Sequence, residues 1–215
     1  MYLWRKLTAK EREAVLAERK ARLRPWHSPP RWSDDTKTLF HLSAACFEHA
    51  HFIGAETARL DDFTHDLLAA LGDAVKRTFA WCVLTNHYHL LVETHNLRET
   101  TKALGELHGR TSFGWNTAEG QRGRKCFQRV SDRAIRSDRH FWATMNYIHH
   151  NPVRHGYVEK WTEWPWSSAH DFLACVGRDE ALRIWRGFPV LDYGAKWDAD
   201  VRSPAFRRNK PPPSE

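Results

Sequence analysis

Two short apolar segments, residues 79–84 and 88–92, are rich in β-forming side chains and are separated only by Thr85, Asn86 and His87. Segments of this length that flank a short polar connection are typical of a β-hairpin. The two strands of a hairpin run antiparallel, so the middle of the chain predicts an antiparallel sheet. Polar residues, including a histidine, mark the turn of this hairpin.

The remaining periodicity predicts helices that alternate with strands. The expected elements are a charged helix over 8–23 with a Thr8–Glu11 capping box, a strand over 37–46, helices over 60–77 and 97–113, a short basic strand over 124–130, and a helix over 140–150 that Pro152 ends. With the hairpin, the order is β, α, β, β, α, β, α. This order fits an α+β sandwich, in which helices cover one face of a central antiparallel sheet.

The length of 215 residues is enough for one well-packed domain with extensions. We predict an N-terminal helical and basic extension at 1–35, a main domain at 36–172, and a C-terminal extension at 173–215. The last residues, with three prolines in a row, are expected to be disordered.

The net charge of +7 suits a polyanionic partner. The four cysteines are widely spaced without a CxxC pair, which argues against a zinc ribbon, a redox motif and a disulfide framework. No signal peptide is visible, and no apolar run reaches the roughly 18 residues of a membrane span. We therefore expect a cytoplasmic protein with no membrane association.

His87 and His89 have the alternate spacing that places two side chains on one face of a strand, with Tyr88 on the other. Two neighbouring imidazoles offer two nitrogen ligands to one divalent ion. A bare HxH pattern is frequent by chance, and a second one occurs at His49 and His51. The first pair lies among apolar strand residues and needs partners, whereas the second lies in a turn-like stretch and is expected at the surface.

Tyr147 and Asn151 are four residues apart on a predicted helix and so share a face. A tyrosine in such a position is more often an ordinary surface residue, and Asn151 before Pro152 is also a common helix stop. A phenol has an ordinary pKa of about 10 and is a weak nucleophile at neutral pH. A metal held by two histidines and an amide would polarise a phosphodiester for attack by this phenol, without ATP.

Basic residues are concentrated between the second helix and the tyrosine helix. They are Arg122, Arg124, Lys125, Arg129, Arg133, Arg136 and Arg139. Arginine at this density near aromatic side chains suits phosphate contacts and base stacking, and a solvated charged loop is an equally good interpretation.

Several motifs together resemble the single-tyrosine HUH transposases, and most closely the REP-associated tyrosine transposases of bacteria. The motifs are TNHYHLLV at 85–92, DRAIR at 132–136, YIHHNPV at 147–153, GYV at 156–158 and WPWSS at 164–168. Their order and spacing agree over residues 38–172, which makes the resemblance far more specific than HxH alone.

This resemblance implies a ferredoxin-like HUH fold. It implies that His87 and His89 bind Mg²⁺ or Mn²⁺, that Asn151 completes the metal site with His150 as a nearby substitute, and that Tyr147 is the nucleophile. The implied substrate is single-stranded DNA with a hairpin, the implied intermediate is a 5′-phosphotyrosine, and no nucleotide cofactor is needed. A monomer or homodimer associated with the nucleoid is expected.

Two other interpretations compete with a DNA strand transferase. The first is a DNA-hairpin binding protein that no longer cuts, against which the presence of both histidines and Tyr147 argues. The second is a metal hydrolase that uses His87 and His89 with an unidentified carboxylate. Strand nicking separates the first from a transferase, and a covalent protein–DNA adduct separates the second.

Overall fold

The computed structural model describes residues 38–72 and 74–190, together with isolated positions between 8 and 17. The chain divides into two compact units, residues 1–34 and 35–215. In the first unit, the described positions from 10 to 17 are helical. The predicted capping box is present, because the Thr8 amide donates to Glu11 Oε2 at 2.7 Å and the Glu11 amide donates to Thr8 Oγ1 at 3.3 Å. The rest of the predicted helix, and the proline-rich tail, lie outside the described residues.

The second unit is built on a four-stranded antiparallel sheet with the order β2-β3-β1-β4. Its elements in chain order are β1 (Leu39–Ala45), α1 (Thr57–Leu71), β2 (Arg77–Val83), β3 (His87–Glu93), α2 (Leu97–Ala118), β4 (Ser131–Ala134) and α3 (Asp138–Arg154). The succession through β4 is the β-α-β-β-α-β pattern of ferredoxin-like folds. The predicted α+β class and element order are confirmed.

Helices lie on both faces of this sheet, whereas the sequence predicted them on one face only. On one face, the ring of Tyr88 in β3 contacts Phe63 of α1, and its hydroxyl bonds to His108 of α2. On the other face, His89 contacts Tyr147 of α3. Alternation along β3 therefore directs its histidines toward α3 and its tyrosine toward the two other helices.

Helix α1 ends earlier than the apolar spacing predicts. The predicted helix over 60–77 stops at Leu71, and strand β2 already begins at Arg77. Gly72 follows the last helical residue, and its amide donates to the carbonyl of Ala69. Val75 fits the helical spacing only by chance, because it lies in the connection between α1 and β2.

The predicted basic strand over 124–130 is a loop, and the fourth strand is β4. The backbone of Arg124 is held by a side chain, since Asn116 Nδ2 donates to its carbonyl at 2.7 Å. The Arg124 guanidinium donates back to Asn116 Oδ1 at 2.9 Å. Within this segment only an isolated bridge between Phe127 and Cys46 has strand character. Side-chain hydrogen bonds therefore hold the start of the segment. Two backbone hydrogen bonds, from the Phe47 amide to the Cys126 carbonyl and from the Gln128 amide to the Ala45 carbonyl, join the rest to the chain around β1.

Helix α3 continues through Pro152 to Arg154, whereas the proline was expected to end it. A proline in the last turn lacks only the amide bond to the carbonyl of Ile148. Ile148, Asn151 and Pro152 are all buried, and their packing offsets this loss. Asn151 consequently stays on the helix, one turn after Tyr147.

Two further helices, α4 (Ala169–Val176) and α5 (Arg178–Gly187), follow α3. The predicted boundary at 172/173 falls inside α4. The Asn146 amide of α3 donates to the carbonyls of Ile184 and Phe188 at 3.3 and 2.9 Å, which ties α3 to the region around α5. Of the helices in the described ranges, none combines the length and apolarity that crossing a membrane requires.

Two buried histidines are expected to make the fold sensitive to acid. Burial lowers the pKa of His149 in α3 from 6.5 to about 3, and that of His108 in α2 from 6.5 to about 4. Below about pH 6.5 the unfolded chain binds protons that the folded chain does not, so the free energy of unfolding decreases as the pH is lowered. Each ring contributes a slope of up to about 1.4 kcal/mol per pH unit.

Urea unfolding of the wild type and of His149→Gln between about pH 7 and about pH 4 measures this contribution. We expect a shallower slope in the variant, since glutamine does not titrate. Parallel slopes for the two proteins would contradict the assignment of the acid sensitivity to His149.

Candidate active site

Strand β3 places His87 and His89 side by side on the face that α3 covers. Their ring centroids are 5.0 Å apart with the rings nearly perpendicular, and both side chains are buried. Tyr88 points to the opposite face, as strand alternation predicts. Its hydroxyl lies 3.0 Å from His108 Nε2, and burial raises its pKa above the ordinary value of 10. This phenol is therefore remote from the histidine pair and a poorer nucleophile than an exposed one.

Helix α3 brings Tyr147 and Asn151 against the same two histidines. The Tyr147 hydroxyl lies 3.4 Å from His89 Nε2, and Asn151 Oδ1 lies 3.1 Å from His87 Nε2. Tyr147 is only 1% exposed, so the alternative of an ordinary surface tyrosine is wrong. His150, the expected substitute for Asn151, lies on the outer side of α3, with its ring 4.8 Å from that of Trp185 in α5.

The donor atoms that converge here fit a divalent metal ion. Asn151 Oδ1 lies 3.1 Å from His87 Nε2, the His89 ring is adjacent to that of His87, and oxygen donors suit Mg²⁺ and Mn²⁺. Asn151 Nδ2 is buried without a hydrogen-bond partner, and Oδ1 is the amide atom that faces His87 Nε2. In the described part of the chain, no group of three or more His, Cys, Asp and Glu side chains has a metal-binding arrangement.

Further histidines border the site, and sequence reasoning missed them. His41 in β1 places its Nε2 atom 3.1 Å from His89 Nδ1, and the ring of His155 lies 5.0 Å from that of His87. His41 belongs to a strand that joins β3 without a hairpin, so only the three-dimensional register brings it there. His155 follows directly on α3, and its spacing of four residues from Asn151 was the available signal.

The second histidine pair is not at the surface, contrary to expectation. His49 is buried, and His51 is half-buried with Nδ1 2.7 Å from Thr85 Oγ1. The Thr85 hydroxyl also lies 2.6 Å from that of Tyr157. Burial, with a smaller effect of His49, lowers the pKa of His51. The chain approaches Thr85 closely at Gly54, where a Cβ atom would lie 2.3 Å from Thr85 Cβ.

The predicted DNA-binding residues fall into different environments. Arg124 is part of the fold, because it forms a 2.6 Å ion pair with Glu119 as well as its bonds to Asn116. Lys125 is exposed and lies over the ring of Phe47 at 4.8 Å. The other five predicted residues, Arg122, Arg129, Arg133, Arg136 and Arg139, are exposed.

Arg133 is a predicted basic residue that strand pairing places on the same sheet face as the site. It pairs with His41 across the antiparallel β1–β4 ladder, so both side chains project from the face that carries the histidine pair. Arg133 and Arg136 also lower the pKa of His140 at the start of α3, after the larger effect of burial. At the other end of α3, the Arg154 guanidinium lies 5.6 Å from the ring centroid of Tyr147. Arg154 is not among the residues predicted from the sequence.

Comparison with known proteins gives consistent relatives. A Haemophilus influenzae protein with the name REP-associated tyrosine transposase is 30% identical over 131 residues, which cover 53% of this chain and 69% of that protein. The REP-associated tyrosine transposase of Escherichia coli K12 is 26% identical over 124 residues, which cover 55% of this chain and 69% of that protein. No protein-family model matches the chain.

A solved structure of a REP-associated tyrosine transposase bound to a REP hairpin has the same fold. The TM-score is 0.51 at 19% sequence identity, and the alignment covers 80% of this chain and 92% of that one.

Proposed function

Because this chain belongs to the family of REP-associated tyrosine transposases, we propose that it cuts and rejoins single-stranded DNA beside a hairpin, with Tyr147 as the nucleophile. One observation carries this proposal. The Tyr147 hydroxyl lies 3.4 Å from His89 Nε2, while Asn151 Oδ1 lies 3.1 Å from His87 Nε2. A nucleophile and three potential ligands thus lie next to one another in one buried cluster.

The proposed reaction is a transesterification. The Tyr147 oxygen forms a bond to the phosphorus of a DNA phosphodiester, and the bond from phosphorus to the 3′-oxygen breaks. The phenol loses its proton, and the leaving oxygen ends as a 3′-hydroxyl. The 5′-phosphate remains esterified to Tyr147, which conserves the energy of the broken bond. A second 3′-hydroxyl reverses the reaction and joins the strands without a nucleotide cofactor.

His87, His89 and Asn151 would hold Mg²⁺ or Mn²⁺, which would polarise the scissile phosphate and offset its charge. The protein itself positions the nucleophile. Tyr147 and Asn151 are one turn apart on a helix anchored by buried side chains, which limits the movement of the phenol. Since Tyr147 is almost fully buried, the surrounding side chains have to move before a phosphate reaches its hydroxyl.

Single-stranded DNA with a hairpin is the proposed substrate class. The relative of known structure is bound to a REP hairpin, and this chain carries a net charge of +7. Arg133 extends the basic surface to the sheet face that carries the site. Phosphate contacts from such residues fix the orientation of the DNA, and they do not by themselves select a sequence.

The experiment that tests the function uses hairpin DNA with a single-stranded flank, labelled at the 5′ or the 3′ end. We expect cleavage with Mg²⁺ or Mn²⁺ and a label on the protein in a denaturing gel when the 3′ side carries the label. Binding without cleavage would favour an inactive hairpin-binding protein. Cleavage without an adduct would favour a hydrolase.

Replacing Arg133 by Ala is expected to weaken hairpin binding and to lower the slope of log K against log salt by about one. The reason is that one fewer phosphate is neutralised. The matched control is Arg124→Gln, which breaks the ion pair to Glu119 and should lower stability more than the salt slope. Fluorescence anisotropy over a range of salt concentrations measures the hairpin affinity and its salt slope for each variant. An unchanged slope in Arg133→Ala would exclude a phosphate contact at this residue.

A further inference from the structure

The orientation of His87 is set by a chain of hydrogen bonds outside the proposed ligand set. Asn86 Nδ2 donates to the carbonyl of His49 at 3.2 Å, which leaves Asn86 Oδ1 facing His87 Nδ1 at 2.7 Å. The amide oxygen accepts only, so His87 Nδ1 has to carry the hydrogen. In the neutral ring, the lone pair is then on Nε2. This lone pair faces the acceptor Asn151 Oδ1 at 3.1 Å, so the two atoms repel until a cation lies between them.

The His49 carbonyl is presented by an unusual backbone conformation. Glu48 and His49 have φ values of 56° and 54°, in the left-handed region that non-glycine residues rarely adopt. They lie in the short 3-10 turn Phe47–His49, directly after β1. Adjacent strained residues persist only where the surroundings hold them, and strain of this kind is frequent at functional sites. Here the turn directs the carbonyl that orients Asn86.

His89 has an equivalent partner in His41. The 3.1 Å contact between His41 Nε2 and His89 Nδ1 is buried, and one ring donates while the other accepts. If His89 Nδ1 donates, the lone pair of His89 lies on Nε2, which faces the Tyr147 hydroxyl. If His41 donates, His89 Nε2 carries the hydrogen and is unavailable as a ligand. The tautomer of His41 therefore decides whether His89 Nε2 carries a lone pair that can bind a metal ion.

We propose that His41 and Asn86 are positioning residues that hold His89 and His87 as Nδ1–H tautomers, so that both Nε2 lone pairs face the point that Asn151 Oδ1 also faces. Histidines that ligate metals ordinarily donate their other nitrogen to a protein acceptor, and this fixes both the tautomer and the ring orientation. The acceptors here are Asn86 Oδ1 for His87 and the His41 ring for His89. The inference rests on the proposed function, because it concerns the same site.

Nitrogen NMR on the metal-free full-length protein tests the tautomers directly. At a pH well above the ordinary histidine pKa, long-range ¹H–¹⁵N spectra distinguish a protonated from an unprotonated ring nitrogen. We expect Nδ1–H for His87 and His89. An Nε2–H tautomer for either ring overturns the inference, whether or not a metal binds. If both rings are Nδ1–H but Mn²⁺ does not bind, the positioning holds and the metal-dependent function fails.

Variants of His41 test whether this residue acts through His89. His41→Leu removes the acceptor and is expected to lower Mn²⁺ affinity, measured by calorimetry, by about 10- to 100-fold. His41→Gln supplies an amide oxygen near the former Nε2 position and should restore most of this affinity. The NMR spectrum should show the Nδ1–H tautomer of His89 lost in the leucine variant and retained in the glutamine variant.

His108→Leu is the matched control, because this buried histidine bonds to Tyr88 on the other face of the sheet. It should lower stability and leave Mn²⁺ affinity unchanged. Equal losses of affinity in His41→Leu, His41→Gln and His108→Leu would reduce His41 to a packing residue and overturn the proposal. Wild-type affinity in His41→Leu would overturn it as well.

Discussion

Replacement of Tyr147 by Phe is expected to eliminate the covalent protein–DNA adduct and strand joining, with a loss of cleavage of at least about a thousandfold. The variant lacks the oxygen that would attack phosphorus, and the neighbouring Tyr88 lies on the opposite face of the sheet. The hydroxyl makes a long contact of 3.4 Å with His89, so folding should change little. Hairpin binding should persist, because the phosphate contacts lie elsewhere. Peptide mapping of the trapped wild-type adduct identifies the attacking residue.

Tyr88→Phe is the matched control, since it removes a buried phenol from the same protein without touching the site. Its hydroxyl bonds to His108 at 3.0 Å on the opposite sheet face, so its loss should lower the free energy of unfolding by about 1 kcal/mol. Cleavage should remain at the wild-type level. An adduct on Tyr88 or Tyr157, or a 3′-phosphate linkage, would refute the proposed mechanism.

The parts of the site that follow from local spacing could be predicted from the sequence. Alternation along one strand puts His87 and His89 on one face, and a four-residue spacing on one helix aligns Tyr147 with Asn151. The hairpin that carries the histidines depends on neighbouring residues only. The contact between the histidine pair and the Tyr147–Asn151 pair is not local. It was predicted only because the motifs resemble those of a known family.

The residues that orient the histidines could not be predicted in this way. His41 reaches His89 through the pairing of β1 with β3, whose register is set by the assembled sheet. Asn86 reaches the His49 carbonyl through a left-handed turn, and Glu48 gives no sequence signal for that conformation. The continuation of α3 through Pro152 is likewise a tertiary effect, since burial of the last turn offsets one missing hydrogen bond.

Asn151 gives the second prediction with a large effect, because its amide oxygen and a carboxylate oxygen would occupy nearly the same position. Asn151→Leu should lower metal-dependent cleavage by at least about 100-fold, since it deletes the only oxygen among the three proposed ligands. Asn151→Asp keeps an oxygen at this position and adds a negative charge that favours a divalent cation. We expect it to retain cleavage within about tenfold of the wild type when Mn²⁺ is supplied.

Thermal unfolding with and without Mn²⁺ separates loss of the ligand from loss of the fold, because an ion that binds only the folded chain raises the melting temperature. The increase should be largest for Asn151→Asp, intermediate for the wild type and smallest for Asn151→Leu. Without metal, Asn151→Asp should be less stable than the wild type, since a buried charge is costly until a cation pairs with it. A leucine variant that cleaves normally and responds to Mn²⁺ like the wild type would remove Asn151 from the site, and the two histidines would then need a different third donor.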